Sequence, residues 1–153
     1  MFGQGRRGGR QGDVRPLDSG RFFQTLADRF IEGDLRTAVT FYSHPLVVYG
    51  PQGIRIEKTP DDTIRTLAGR LMDVRSGGAE SVLVTIDSIG RTQNRRQPFD
   101  ATWTFLDADG VPVGQSRFRY FCRHIGPDLK IELMEIMQVF QTLATSQATF
   151  VSH

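Results

Sequence analysis

Apolar and polar residues alternate with a period of two through three consecutive segments around 98–138: QPFDATWTFLD, VPVGQSRFRYFCRHI and LKIELMEIMQVF. The alternation predicts three strands, each with one apolar and one polar face. Asp107-Ala108-Asp109-Gly110 and Gly126-Pro127-Asp128 supply the residues that tight turns need, so both connections read as antiparallel hairpins. Pairing Leu106 with Val111 sets Trp103 opposite Gly114 and Asp100 opposite Arg117. Pairing Ile125 with Lys130 sets Phe121 opposite Met134 and Tyr120 opposite Glu135. These registers collect Phe99, Ala101, Trp103, Phe105, Phe118, Tyr120, Cys122, Leu133, Met137 and Val139 on one face. The other face holds Asp100, Thr102, Thr104, Gln115, Arg117, Arg119, Arg123 and Glu132. A slip of one residue would mix the two sets.

Earlier in the chain the period lengthens. Asp18 or Ser19 caps a helix starting near Gly20, whose Phe22, Phe23, Leu26, Ala27, Phe30 and Ile31 form one apolar stripe. Gly33 ends it, and Asp34 caps a second, shorter helix. Leu46 to Tyr49 and Ile54 to Glu57 flank Gly50-Pro51-Gln52-Gly53 as a small hairpin. Thr59 caps a third helix with Pro60 in its first position and Ile64, Leu67, Ala68 and Leu71 on its buried face. Ser81 to Ile89 is a further strand, with Ile86 placed opposite Trp103. Helices fall in the first half and strands in the second. This order predicts an α+β domain, a cone-like, strongly curved antiparallel sheet packed on three N-terminal helices.

Composition narrows the classes further. A chain of 153 residues is one domain, and a net charge of +2 selects no class of partner. The segment 1–17 is rich in glycine and arginine and reads as a flexible arm, with nucleic acid not expected as a partner because no aromatic residues are interleaved. The domain proper is expected over 18–141, with a tail at 142–153. The single cysteine, Cys122, excludes an internal disulfide and a four-cysteine metal site. No apolar run approaches the roughly 20 residues needed to cross a bilayer, so a cytoplasmic location is expected and no membrane.

The order of elements resembles the nuclear transport factor 2-like superfamily, which has a cystatin-like fold and includes SnoaL-like and ketosteroid-isomerase-like domains. The likeness is carried by FIEGDLRTAVTFYSHPLVVYG and by the terminal hairpin RYFCRHIGPDLKIELMEI. It implies a cone-shaped domain, commonly dimeric, with a pocket between sheet and helices. The isomerase's tyrosine falls at Leu26, its base at Gly50 and its second acid at Phe121. None of these can perform the role, so classical ketosteroid isomerisation is not expected.

Exceptions to the two faces supply the candidate chemistry. Glu135, between Leu133 and Met137 and opposite Tyr120, is a carboxylate expected on the apolar face, where it would take up a proton or find a donor. Glu135, Tyr120 and His124 are therefore the candidate catalytic set, unless a bulge turns Glu135 outward. Tyr42, His44 and Tyr49 would rim the pocket, and Trp103, Phe105 and Met137 would line it. His44, His124 and Glu135 are too scattered to form a metal motif, so neither metal nor cofactor is expected. On the polar face Phe121, Met134 and Ile136, rimmed by Arg119 and its neighbours, predict a homodimer interface, unless the C-terminal tail with Phe150 and Val151 covers the patch. Three functions remain: a binding module for a small hydrophobic or aromatic molecule, a SnoaL-like isomerase, dehydratase or cyclase using Glu135 as general acid or base, and a dimeric interaction domain with a filled pocket.

Overall fold

A computed structural model describes residues 16–143. The arm expected at 1–17 and the tail with Phe150 and Val151 lie almost wholly outside the described residues. The elements run α1 (Pro16–Glu32), α2 (Leu35–Ala38), a 3-10 turn (Val39–Phe41), β1 (Tyr42–Gly50), β2 (Gly53–Glu57), α3 (Pro60–Ser76), β3 (Ser81–Ile89), β4 (Arg96–Leu106), β5 (Pro112–Ile125) and β6 (Asp128–Thr142). α1 begins about one turn earlier than expected, because proline is well tolerated in the first turn of a helix. The Asp34 carboxylate accepts the Thr37 N–H at 3.3 Å and starts α2. Thr59 and Asp62 exchange side-chain and backbone hydrogen bonds in a capping box at the head of α3.

The sheet is six-stranded in the order β2-β1-β6-β5-β4-β3. β1 runs parallel to β6 and every other pairing is antiparallel, so the sheet is mixed and not antiparallel throughout. In β4–β5, Trp103 opposes Ser116 and Asp100 opposes Arg119, two residues from the expected register. Ile86 likewise opposes Ala101 instead of Trp103. A shift of two preserves the side each residue faces, so the sorting of β4 and β5 is unaffected.

β5–β6 is different. The register shifts between Phe121 and Cys122, giving β6 one extra residue, and beyond that point Tyr120 opposes Met134 while Arg119 opposes Glu135. A one-residue bulge exchanges the two faces. Met134, expected on the polar face, is buried, and Ile136 packs against the core. Leu133, expected inside, pairs with outward-facing Phe121, and Met137 is 39 % exposed.

The helices cover the inner face. Phe23 stacks on Tyr120 at 4.8 Å and leans on Phe99 at 5.4 Å, while Phe30 meets Trp103 edge-on at 5.6 Å. Trp103 also packs edge-on against Phe118 at 5.6 Å. All of these rings are buried. The space beneath Trp103 and Phe105, where the pocket was expected, is therefore filled by side chains from α1 and the sheet. Gln24 of α1 donates to the Val82 carbonyl at 2.9 Å and accepts from the Val84 N–H at 2.8 Å. Its amide thus occupies the free edge of β3, which would otherwise be open to another strand. No described helix is long and apolar enough to cross a membrane.

Candidate functional site

A cleft of ≈ 290 Å³ opens between α3 and the inner face of β5 and β6, lined by Thr66, Gly69, Arg70 and Asp73 on the helix and by Ser116, Phe118, Ile136, Val139 and Phe140 on the strands. Thr66, Gly69, Arg70 and Asp73 recur at helical spacing, so one stripe of α3 forms a whole wall. Glycine in the interior of a helix costs about 1 kcal/mol relative to alanine. Here Gly69 faces open space, since a Cβ added to it would meet nothing within 4 Å. Opposite, Phe140 lies against Gly77 and Gly114, and a Cβ at either would collide with its ring. The two glycines seat Phe140 against Phe105 at 5.5 Å and fix the closed end of the cleft.

Two polar groups stand out in this apolar lining. Arg70 lies over the Phe118 ring, 5.2 Å from its centroid, and donates no hydrogen bond to any described residue. Ser116 is 1 % exposed, and its hydroxyl makes no hydrogen bond to a described residue either. The other arginine at the rim, Arg65, is engaged by Asp62. Thr66 and Arg70 also border a second void of ≈ 10 Å³, reached by Tyr42, Glu57 and Met134, which is about the room one water needs.

Beside this void lies a buried polar chain. Glu57, 4 % exposed, accepts hydrogen bonds from Thr63 at 2.7 Å, Thr66 at 2.8 Å and Arg55 at 3.0 Å. Because the Thr63 hydroxyl proton is directed to Glu57, Thr63 accepts from His44 Nε2 at 2.8 Å. Burial holds the His44 pKa below its ordinary value, with Glu57 and Asp62 opposing the shift. The chain fastens β1, β2 and α3 together. It went unrecognised in the sequence, although Glu57 lies opposite inward-facing Leu46 in the hairpin and was a carboxylate in an apolar position.

The expected site residues are dispersed. Glu135 faces outward, its side chain 45 % exposed and 4.0 Å from Arg119, so the expected pair with Tyr120 does not form. Tyr120 is fully buried with the Trp103 indole as its hydroxyl's polar neighbour, and burial pushes its pKa well above the ordinary tyrosine value. Tyr42 is buried too, its pKa raised by burial to about 12. His124 is buried and donates to Gln97 at 2.9 Å, an arrangement that closes a strand end. Tyr49, at 40 % exposure, and Met137 lie away from the cleft. Trp103 and Phe105 are core. Among the described residues no group of three or more His, Cys, Asp or Glu is placed to hold a metal ion.

A larger hollow of ≈ 500 Å³ lies at the start of α1 against the β5–β6 turn. It is a surface groove in which Phe22 and Phe41 pack on each other at 5.1 Å and Lys130 already donates to the Thr40 carbonyl. It lacks the buried, unpartnered polar group that marks the cleft.

With helices over one face of a curved sheet and a cleft at their third member, the chain can be set beside known proteins. The family described as NTF2-like protein (DUF6841) matches residues 18–137. The chain belongs to this family. The NTF2-like architecture recurs in a Shewanella oneidensis MR-1 NTF2-like protein of unknown function, with 18 % identity, a TM-score of 0.59, and coverage of 79 % of this chain and 98 % of that one. A Nostoc punctiforme domain of unknown function with a cystatin-like fold is 13 % identical, with a TM-score of 0.61 over 92 % of this chain and 89 % of the other. Aln2 from a Streptomyces species is 12 % identical, with a TM-score of 0.57 over 87 % and 94 %. At these identities the likeness is one of NTF2-like fold alone. No curated protein matches the chain.

Proposed function

We propose that this NTF2-like domain binds a small, largely apolar molecule in the cleft between α3 and the β5–β6 strands. The observation that carries the reading is the ≈ 290 Å³ cleft itself, with exposed Gly69 on its helical wall, where an added Cβ would meet nothing within 4 Å. That volume lies at the lower end of small-molecule sites, which run from about 300 Å³ upward. The cleft's single carboxylate, Asp73, is exposed, and no histidine lines it, so its lining supports binding rather than acid–base turnover. The test is a thermal-shift screen with small aromatic and aliphatic molecules, comparing wild type with Gly69→Leu. Leucine favours helix over glycine by roughly 0.7 kcal/mol, so the variant is expected to melt no lower than wild type. Molecules that stabilise the wild type by mass action should have no effect on the variant. Equal stabilisation of both proteins would remove the cleft from consideration.

A second reading concerns the outer face of the sheet. Ile56, Val47, Leu133, Phe121 and Pro98 form a continuous row across five strands, one residue opposite the next. The adjacent row is Ile54, Tyr49, Glu135, Arg119 and Asp100, in which Arg119 grips Asp100 through two hydrogen bonds of 2.7 and 3.0 Å. That grip holds the Asp100 carboxyl below its usual pKa. Ile54 and Ile56 are 64 % and 57 % exposed. An apolar row beside a charged one suits an isologous interface. The domain therefore self-associates through this face, with Phe121 and Leu133 at its centre in place of the Met134 and Ile136 expected from the sequence. Sedimentation should find a dimer for wild type and a monomer for Phe121→Glu. A monomeric wild type would end the claim.

A further inference from the structure

The Arg70 guanidinium occupies an unusual position. It lies over the Phe118 ring in the wall of the cleft, and no described residue accepts a hydrogen bond from it. The nearby carboxylates do not neutralise it. Asp73, on the same stripe of α3, forms no ion pair with it, and Glu57 across the smaller void is already satisfied by Arg55, Thr63 and Thr66. Arg65 is committed to Asp62. The cleft therefore presents one cation without a hydrogen-bond acceptor among the described residues, beside apolar Ile136, Val139 and Phe140. Close to it, Ser116 offers a nearly sealed hydroxyl with no described partner.

We infer that the ligand of this cleft is an aromatic or alicyclic carboxylate whose anionic group is received by Arg70. The inference rests on the cleft reading above and names the chemistry of its ligand. A guanidinium matches a carboxylate with two parallel N–H···O bonds, a geometry that a lysine could not offer. A flat hydrocarbon portion would lie along Ile136, Val139 and Phe140, and the Ser116 hydroxyl would donate to a carboxylate oxygen. A neutral carboxamide of the same shape offers the guanidinium one uncharged acceptor oxygen in place of two that share a negative charge, and so loses the bidentate, charge-assisted pair. Selection between acid and neutral isostere therefore belongs to Arg70.

The experiment uses two probes of one shape, 2-naphthoate and the neutral 2-naphthamide, titrated calorimetrically into the full chain at neutral pH. Wild type should bind the acid at least about tenfold more tightly than the amide, the ratio expected of a charge-assisted pair. Arg70→Gln should abolish this preference, with the acid losing more affinity than the amide. Equal affinities in wild type, or a preference that survives in Arg70→Gln, would overturn the role of Arg70 and leave the cleft as the binding site. Because the first comparison needs only wild type, a variant that folds poorly does not rescue the claim. Probe binding that Gly69→Leu fails to weaken, or no binding of either probe at millimolar concentration, would overturn both readings together.

Discussion

Glu57→Ala is expected to destabilise the domain by about 2–4 kcal/mol. The carboxylate accepts three hydrogen bonds, and two of its donors, the Thr63 and Thr66 hydroxyls, lie beside apolar Leu46, Val48 and Leu67. A buried hydroxyl left without an acceptor costs about 1–3 kcal/mol, partly relieved by entry of water; this falls on Thr63, which is 2 % exposed, whereas Thr66 keeps the Asp62 carbonyl at 3.3 Å. Arg55 is 47 % exposed and can return to solvent, so its release adds little. Arg55→Ala should accordingly cost under about 1 kcal/mol. Urea unfolding of the two variants measures the difference, and equal losses would show that the ion pair, not the threonine pair, is what Glu57 supports.

The second large effect is expected of Phe23→Ala, about 3–5 kcal/mol, the range for removing a wholly buried phenylalanine. Phe23 contacts Phe22, Phe99 and Tyr120 at centroid separations of 4.9, 5.4 and 4.8 Å, and its loss would leave all three facing a void. For a domain of this size such a loss lowers Tm by roughly 10 °C. Calorimetry that found a change of about 2 °C or less would mean that α1 is not what fills the sheet's concave side.

Much of this arrangement was legible in the pattern of residues, and the failures have physical causes. The limits of β3 and the cap of α3 follow from local signals, because caps and period-two runs act within a few residues. The β4–β5 pairing was misplaced by two residues without harm, since side-chain direction repeats with that period. In β5–β6 the bulge near Cys122 could not be read from turn residues, and it turned Glu135 outward while drawing Met134 in. The same single residue removed the expected acid and relocated the expected interface. The parallel pairing of β1 with β6 joins segments far apart in the chain, beyond the reach of any hairpin signal. The cleft had one local sign that was passed over, a lone glycine within the helical pattern of α3. Arg70 and Ser116 had none, because their significance lies in what they do not contact.

The position of β6 also bears on how the molecule comes into being. The strand lies third in the sheet, between β1 and β5, and its Ile131 carbonyl receives a hydrogen bond from Ser43, 88 residues earlier. During synthesis the helices and the first hairpin leave the ribosome well before their central partner exists. Their apolar faces, including Leu46 and Val48, have nothing in the sheet to close against until β6 arrives. Long-range pairings of this kind slow folding and lengthen the time for which a nascent chain is vulnerable to aggregation. Shortening the chain within β6 would split the sheet through its middle, whereas trimming β2 or β3 would only remove an edge.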